Sequence, residues 1–562
     1  MRSPLPTTTI HAFFETAARL GPRPCWKYGA RTISWTEAAQ LVRKAARAFI
    51  ALGVKAGEAV SIVGANRPEW VIADLGALAA GGVPAPIYPT LTAEQAWYIA
   101  GHSGASVAVV QDGAQLQKLR SQKSGLQKFV LIEGKAEGAL SWEEFLALEG
   151  AVPDRLAELK PDGLATLIYT SGTTGPPKAV MLSHDNLVFA AQTAQRIAET
   201  GADDVLVSYL PLSHIAEQMI TLHAPAVAGS QIWFCDQLDR LGDALREARP
   251  TIFFGVPRVW EKMQAKMLEA VAAAPERRQK MFHAARRSTG LWRRLAERVV
   301  LRKARKALGL DRARFLVTGA AAMPRATLDF FDSLGLPVLD VWGMSESAAM
   351  GTANLPDARK KYTIGRPPPG AELRIGEDGE ILLRGRHVFM GYFKDEAATR
   401  EALDQDGWLH TGDVGEQDAD GFVRITDRKK ELLITSGGKN VSPANIEGQL
   451  GQIAGVSQAI VVGDARKHLA ALIVPDPVSA ARLPGVTHGT LAALALDPAF
   501  LQHVERGIAQ VNGTLANYET IKKFKVLPVQ FSIESGELTP TLKLKRKVVA
   551  QKFASEIDAL FA

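Results

Sequence analysis

The chain has almost no cysteine. Cys25 and Cys235 are the only two in 562 residues, too few for a disulfide framework, and such sparing use fits a reducing compartment. A secretory leader is also missing from the opening "MRSPLPTTTIHAFFETAARL", which has no apolar core of signal-peptide length before a small-residue cleavage site. Secretion is therefore not expected, and a cytoplasmic setting is. Nor is any run long and apolar enough to cross a bilayer. The nearest, "VIADLGALAAGGVPAPIY" over 71–88, is broken by Asp74, Gly81, Gly82 and two prolines, well short of the roughly 20 apolar residues a span requires. A buried helix followed by a strand is expected there. Charge of one sign is scarce as well: 66 Lys and Arg face 59 Asp and Glu, for a net +7. Spread over this length, that excess implies no nucleic-acid partner.

What is present is the composition of an ordinary globular protein, with 47% hydrophobic and 22% charged residues. The length exceeds what one hydrophobic core supports, so more than one domain is expected. Through the first four hundred residues, short apolar runs alternate with amphipathic stretches. "AVSIVGA", "VPAPIY" and "SVAVVQ" read as buried strands, with helices over 68–80 and 93–102 between them. That alternation is the βαβ pattern of a doubly wound α/β sheet. From about Gly370 the pattern turns strand-rich, with hairpin signals at Glu377-Asp378-Gly379 and at "DADG". Five consecutive charged residues, Asp427 to Glu431, then sit between apolar segments. Such a run is usually a solvated face, but its place between two compact regions makes it a candidate hinge. The expected division is 1–426, a hinge at 427–430, and a small α+β domain over 431–562.

One block stands apart. Residues 277–306 hold twelve Lys and Arg, with Leu291, Trp292, Leu295 and Val299 at helical spacing and Leu308 just beyond. This is the composition of a membrane-surface helix, a candidate peripheral contact with the inner membrane surface. It is equally that of a surface helix with its apolar face on the core and a solvated cationic face. The packing reading is preferred. The block contains no recognisable nucleic-acid module.

The stretch "TSGTTGPPK", 170–178, is rich in glycine and hydroxyls and closes on a lysine. It is not the best-known phosphate loop, which needs Gly-Lys-Ser/Thr at its end; here Pro177 precedes Lys178. Read on its own, a Gly- and hydroxyl-rich turn leaving the strand "LATLIYT" offers N–H and O–H donors to an anion, and Lys178 adds a point charge. A plain surface turn is the alternative. A helix is expected in the following "AVMLSHDNLVFAAQTA", capped at Ser183 or Asp185.

Eight motifs in order turn this loop into a resemblance. "YTSGTTGPPKAVMLSH" (169–184), "YLPLSHIAEQ" (209–218), "FFGVPRVWEK" (253–262), "VTGAAAMP" (317–324), "VWGMSES" (341–347), "GWLHTGDVG" (407–415), "ITDRKKELLITSGGKNVSP" (425–443) and "LTPTLKLKRK" (538–547) are spread in order from residue 169 to residue 547. Together they resemble the adenylate-forming enzymes, which include acyl-CoA synthetases, firefly luciferase and nonribosomal-peptide adenylation domains. The second and last motifs are most similar to long-chain fatty acyl-CoA synthetases of the bubblegum type. The resemblance implies a large N-terminal domain of doubly wound sheets plus a β-rich subdomain, and a small mobile α+β C-terminal domain. It implies a fatty acid, ATP, Mg²⁺ and coenzyme A as reactants and cofactors.

Residue roles follow only from that resemblance. Thr170, Ser171, Gly172, Thr173, Thr174, Gly175 and Lys178 would cradle phosphates. Glu346, with the Thr170 hydroxyl, would hold Mg²⁺, and Gly319, Ala320, Ala321, Gly343, Met344 and Ser345 would border the nucleotide. Trp342, in the place of the family's usual Tyr, would stack on adenine, a core aromatic being its bland reading. Asp413 would bond the ribose hydroxyls, with Arg428 its partner across the hinge, and Lys430 would be the pivot. Gly437, Gly438 and Lys439 would serve the CoA step. His214 would position the carboxylate, or be a purely structural histidine, and Gly255 and Val256 would line the acyl tunnel. Lys543, Lys545 and Lys547 would point the same way in an extended segment, so geometry does not choose among them. The family pattern selects Lys543 as the catalytic lysine, although the usual preceding Gly is Leu542, and leaves Lys545 as runner-up. Ala179 and Ser345 also depart from the usual Gly and Thr. Two alternatives stand beside the ligase: a fatty acyl-AMP ligase serving a carrier protein, and a nucleotide-binding non-enzyme.

Overall fold

The structure is a computed structural model and describes residues 7–120, 125–149, 154–170, 176–429, 433–436, 439–487, 489–532, 535–539 and 544–562. Contacts divide the chain into two compact units, Met1–Leu373 with Leu382–His410, and Arg374–Ile381 with Thr411–Ala562.

In the first unit, the apolar runs form a five-stranded parallel sheet in the order Val83–Ile87, Ala59–Val63, Val107–Val110, Lys128–Leu131, Leu140–Ser141. The helices between the first strands are Pro68–Ala79 and Ala93–Ser103, within one residue of the ranges the periodicity predicts. Pro68 opens its helix at a position that needs no N–H, and Glu69 suits the positive end of the helix dipole. Every residue of that helix is buried, so the stretch that could be mistaken for a membrane span is core. Among the described residues, no helix is long and apolar enough to cross a membrane. Asp74 lies inside this helix, where burial pushes its carboxyl up to about 8, so it is neutral at ordinary pH.

Three further sheets carry the motifs. Ile252–Gly255, Phe315–Thr318 and Val338–Trp342 run parallel, with Thr352–Ala353 antiparallel at the edge. Val205–Ser208, Gln231–Phe234 and Pro24–Tyr28 form a second parallel set, bordered by antiparallel Arg31–Ser34. Leu164–Thr170, Lys178–Ser183 and Gly391–Tyr392 are antiparallel.

The basic block is helical and keeps one face on the core, as the packing reading expects, but of the apolar residues singled out only Leu308 belongs to that face. Ala296, Val300, Leu301, Ala304 and Leu308 form the face on the core. Leu291, Trp292, Leu295 and Val299 point to solvent instead. A π-helical turn at Glu297–Leu301 inserts a residue into the helix. One residue is about 100° of rotation, so the phase of the apolar stripe changes within the helix.

The strand-rich stretch from 371 contains the expected turns. Gly376 N–H donates to the Glu380 carbonyl at 2.7 Å, and Asp418 N–H to the Phe422 carbonyl at 3.0 Å. In the second unit, Leu469–Pro475 pairs antiparallel with Val456–Val462 and parallel with Ile521–Val526. Ile446, Phe500 and Val504 pack in one hydrophobic cluster of this unit, and Val549, Phe553 and Leu560 in another with Ile460 and Leu472. Because successive side chains of a strand face opposite ways, one short sheet supports both clusters.

Candidate active site

The glycine- and hydroxyl-rich loop joins two strands, not a strand and a helix. Thr170 and Lys178 are cross-strand partners at its base, and the Thr170 hydroxyl donates to the Lys178 carbonyl at 3.4 Å. The next helix starts only at His184, where Ser183, not Asp185, is the cap and accepts from Asn186 N–H at 3.1 Å. A six-residue strand separates loop from helix, roughly 20 Å at strand rise. The dipole of that helix acts only near its own first turn and does not serve the loop. Among the described residues of these two strands, Lys178 is the one cation beside the loop.

Lys178 is held by a residue that the motifs do not contain. Its ammonium lies 4.9 Å from the centre of the Tyr392 ring, a cation–π distance. Tyr392 reaches this place through the short strand Gly391–Tyr392, which pairs with Val180 and Met181 on the lysine's own strand. Its N–H donates to Thr399 Oγ1 at 2.8 Å. On its other side the Tyr392 hydroxyl donates to Glu346 Oε1 at 2.7 Å. Burial first, then the neighbouring Glu346 carboxylate, push the Tyr392 hydroxyl far above its ordinary value. It therefore stays protonated and remains a donor.

Glu346 is 8% exposed, and its carbonyl accepts from Phe389 N–H at 2.9 Å. It sits on the short 3₁₀ turn Ser345–Ser347, which Ser347 Oγ stabilises by accepting from Met344 N–H at 3.1 Å. Ala348 and Ala349 follow at φ 50° and 62°, the left-handed region that alanine adopts only under constraint. Gly343 is needed for close approach: a Cβ there would come within 2.4 Å of the Ala349 carbonyl oxygen. Among the described residues, no group of three or more His, Cys, Asp and Glu gathers to hold a metal. A single buried carboxylate suits an ion that brings most of its ligands with it.

Further motifs leave the carboxyl ends of adjacent parallel strands. Gly255, Thr318 and Asp340 are in register across three of them, and Gly319–Ala321 and Trp342–Glu346 follow within a few residues. In open α/β sheets, this end of the strands is where ligands bind. Ala320 has φ 70° and Ala321 is exposed, so this turn presents backbone. Trp342 is 8% exposed with its ring against Gly351. Gly255 lies under the Trp260 indole, where a Cβ would meet Nε1 at 2.6 Å, and Val256 is half-buried just before the helix Pro257–Ala272. Asp340, which no motif reading singled out, is pushed up to about 7 by burial.

His214 caps a short helix, its Nδ1 accepting from Ala216 N–H at 3.1 Å, so the neutral ring carries its hydrogen on Nε2. The turn before it is braced by residues outside the sequence-based set. Asn66 Nδ2 donates to the Leu210 carbonyl at 2.6 Å and to Ser208 Oγ at 2.9 Å. Gln218 Nε2 donates to the Leu212 carbonyl at 3.0 Å. Buried Glu217, raised to about 7 by desolvation, accepts from Thr221 at 2.8 Å.

In the second unit, Asp413 is 5% exposed and paired with Arg428 Nε at 3.0 Å. The two are cross-strand neighbours on one hairpin, so they do not face each other across a pivot. Lys429 bonds Glu380 at 2.9 Å and Asp378 at 2.6 Å. Lys439 is exposed at the end of a hairpin between Leu433–Ile434 and Asn440–Val441. The lysine-rich segment is not extended throughout: Leu538 and Leu544 bridge, Lys545 is half-buried, and Lys547 lies on a helix that begins at Arg546. Ser171, Gly172, Thr173, Thr174, Gly175, Lys430, Gly437, Gly438 and Lys543 lie outside the described residues.

A strand-end site with a lysine, a protonated tyrosine and a buried carboxylate in line, on a chain with a separate α+β unit, defines an enzyme of the adenylate-forming class. The chain belongs to the AMP-binding enzyme family, matching that family over residues 13–393 and its C-terminal domain over 430–562. It is 40% identical over 580 residues to the long-chain-fatty-acid–CoA ligase ACSBG2 of Gallus gallus, covering 92% of this chain and 76% of that protein. To the long-chain-fatty-acid–CoA ligase FadD15 of Mycobacterium tuberculosis it is 37% identical over 563 residues, covering 94% and 92%. Among solved structures, the adenylation domain of a carboxylate reductase from Mycobacterium chelonae matches with a TM-score of 0.80 at 22% identity, covering 99% of this chain and 91% of that one. An anthranilate CoA ligase in complex with anthranoyl-AMP matches at 0.77 and 20%, covering 99% and 98%. These structures share the fold.

Proposed function

We propose that the chain is an AMP-forming long-chain fatty acid–CoA ligase. A fatty acid carboxylate oxygen attacks the α-phosphorus of ATP, the bond to the β-phosphate oxygen breaks, and pyrophosphate leaves. The CoA thiol then attacks the acyl-adenylate carbonyl and AMP departs. The observation that carries this reading is the line from Lys178 through Tyr392 to Glu346, which brings a cation to the ring face and a buried carboxylate to the hydroxyl of one tyrosine. Lys178 and the loop would receive phosphate oxygens, where preorganised donors are worth most. Glu346 and Thr170 would hold Mg²⁺, which neutralises phosphate charge when bound. His214, with its tautomer set by Ala216, would orient the carboxylate. Asp413 would accept from the ribose hydroxyls, and Trp342 with Gly319–Ala321 would border the base. A cytoplasmic setting belongs to the same reading, supported by Cys25 and Cys235 being free and buried. AMP release measured over straight-chain acids from acetate to behenate is the direct test, with the highest kcat/KM expected among the long chains. Hydroxamate trapping with and without CoA separates a ligase from an enzyme that stops at the adenylate.

Tyr392→Phe tests the line itself. The variant keeps the ring under Lys178 and removes only the hydroxyl that orients Glu346. Loss of such a supporting hydrogen bond typically weakens metal affinity or activity by about 10- to 100-fold. The concentration of Mg²⁺ needed for half-maximal adenylation should rise by at least the lower figure. An unchanged Mg²⁺ dependence would remove Tyr392 from the site.

Lys430→Pro tests the pivot. Lys543 is assigned to adenylation and residues 437–439 to the CoA step, so the small domain should rotate between half-reactions about a few residues that absorb the backbone change. The residues just before Lys430 are anchored: Arg428 on Asp413, and Lys429 on Asp378 and Glu380. Proline fixes φ and restricts the residue before it. Adenylate should still form, while its conversion to thioester falls at least about tenfold, or ~1.4 kcal/mol of barrier. Equal loss of both half-reactions places the pivot elsewhere.

A further inference from the structure

Residues 277–306 carry twelve Lys and Arg against one acid, Glu297, while the whole chain is net +7. The rest of the chain is therefore net negative. Within the block, part of the charge is taken up by structure. Arg293 donates to the Ser333 carbonyl at 2.8 Å, Arg286 to Ser333 Oγ at 2.7 Å, and Arg305 bonds Glu297. Those groups turn inward with Ala296, Val300, Leu301 and Ala304.

The opposite face has a different character. Leu291 is 79% exposed, Trp292 75%, Leu295 53% and Val299 44%, with Met281 at 46% on the preceding helix. These five are half of the large apolar side chains exposed among the described residues. Scattered apolar exposure needs no explanation, whereas a contiguous patch does. Leu291, Leu295 and Val299 recur every fourth residue, and exposed Arg294, Arg298, Arg302 and Lys303 flank them with no ion pair among the described residues.

We infer that this face docks on an anionic lipid surface. An exposed tryptophan and leucines between arginines match the interface of a bilayer, where apolar groups enter the acyl boundary and long cationic stems reach back to headgroup phosphates. A symmetric contact with a second copy would bring Arg294 and Arg298 against their own counterparts, since both partners of such a dimer use the same patch. A nucleic-acid backbone would leave the central apolar stripe without a partner. The inference goes beyond the ligase reading and does not depend on it.

The test is flotation of the full chain with vesicles of phosphatidylcholine alone and of phosphatidylcholine with phosphatidylglycerol, without fatty acid, ATP or CoA. Binding is expected on the anionic vesicles at low salt, weakening as salt screens the charges. Arg294→Ala with Arg298→Ala should lower the partition constant about thirtyfold, from about fivefold per basic residue at an anionic surface. Trp292→Ser with Leu295→Ser should also lower it, with the melting temperature and adenylation of a water-soluble medium-chain acid unchanged. Absence of binding to anionic vesicles at low salt overturns the inference, as does equal binding to neutral ones. So does a Trp292→Ser, Leu295→Ser variant that still binds vesicles but falls from dimer to monomer in sedimentation, because the patch would then be a subunit interface. Failure of the acid panel would leave the vesicle result standing.

Discussion

Glu346→Gln should slow adenylate formation by roughly 10²–10³, the loss expected when one preorganised group facing transition-state charge is removed. Glutamine keeps the volume of the side chain, and its carbonyl oxygen still accepts from the Tyr392 hydroxyl, so the turn Ser345–Ser347 has no reason to move. What disappears is a negative charge held 8% exposed beside a neutral phenol. If that charge serves to hold Mg²⁺ at the phosphates, raising Mg²⁺ should recover part of the rate, and ATP–pyrophosphate exchange should report the deficit directly. The deficit must exceed that of Tyr392→Phe, because the phenol acts through the carboxylate. A Glu346→Gln enzyme with normal exchange, or one less impaired than Tyr392→Phe, would remove Glu346 from the chemistry.

Much of the fold can be read without coordinates because its strands are buried on both faces. Ala59–Val63, Val83–Ile87 and Val107–Val110 are buried along their whole length and apolar but for Ser61, the signature of a parallel sheet covered on both sides. The helix Pro68–Ala79 is legible for the same reason, since a proline marks its start and a glycine pair lies just beyond its end. The basic block defeats this approach. Its helix carries two apolar stripes, one on the core and one in solvent, and helical spacing does not say which stripe is which. The π-helical turn at Glu297–Leu301 then breaks the period on which the reading rests.

The site divides in a similar way. Residues inside contiguous motifs are visible, because Thr170, Lys178, Gly343, Glu346 and Asp413 each sit among neighbours of unusual composition. Tyr392 is not, because nothing local distinguishes "MGYF" from any other short strand. It acquires a role only by pairing with the strand of Lys178, more than two hundred residues earlier. Asn66 is hidden for the same physical reason, and Glu217 and Gln218, though inside the motif at 209–218, show no bracing role there, since bracing a turn depends on where side chains meet. Asp340 gave one usable signal: an acidic residue inside the apolar run "PVLDVW" of a central strand. The Asp413–Arg428 pair also becomes simple once the register is known, two strands of one hairpin placing opposite charges face to face.

Lys543→Ala is expected to lower adenylate formation by roughly 10²–10³ as well, through loss of a cation at the pentacoordinate phosphorus. Lys543 lies outside the described residues, and the described residues on either side of it are held in place. Leu538 and Leu544 bridge, and Lys545 N–H donates to the Glu537 carbonyl at 2.7 Å. Arg546 makes two bonds of 2.7 Å to Glu447, whose carboxylate also accepts from Val461 N–H at 2.6 Å. Alanine at 543 disturbs none of these, so the loss should register in chemistry and not in stability. The half-reactions give the sharper criterion. Acyl-adenylate supplied from outside should react with CoA at close to the parent rate, because the lysine is needed only while negative charge builds on phosphorus. Lys545→Ala is the paired control: its residue is half-buried at the start of a helix, and removing its charge should leave adenylation within a few-fold, as expected for a charge off the reaction path. If the two variants exchange behaviour, the family pattern has been aligned two residues too early and Lys545 is the catalytic lysine. If supplied adenylate also fails to react with Lys543→Ala, the lysine does not belong to the first step at all.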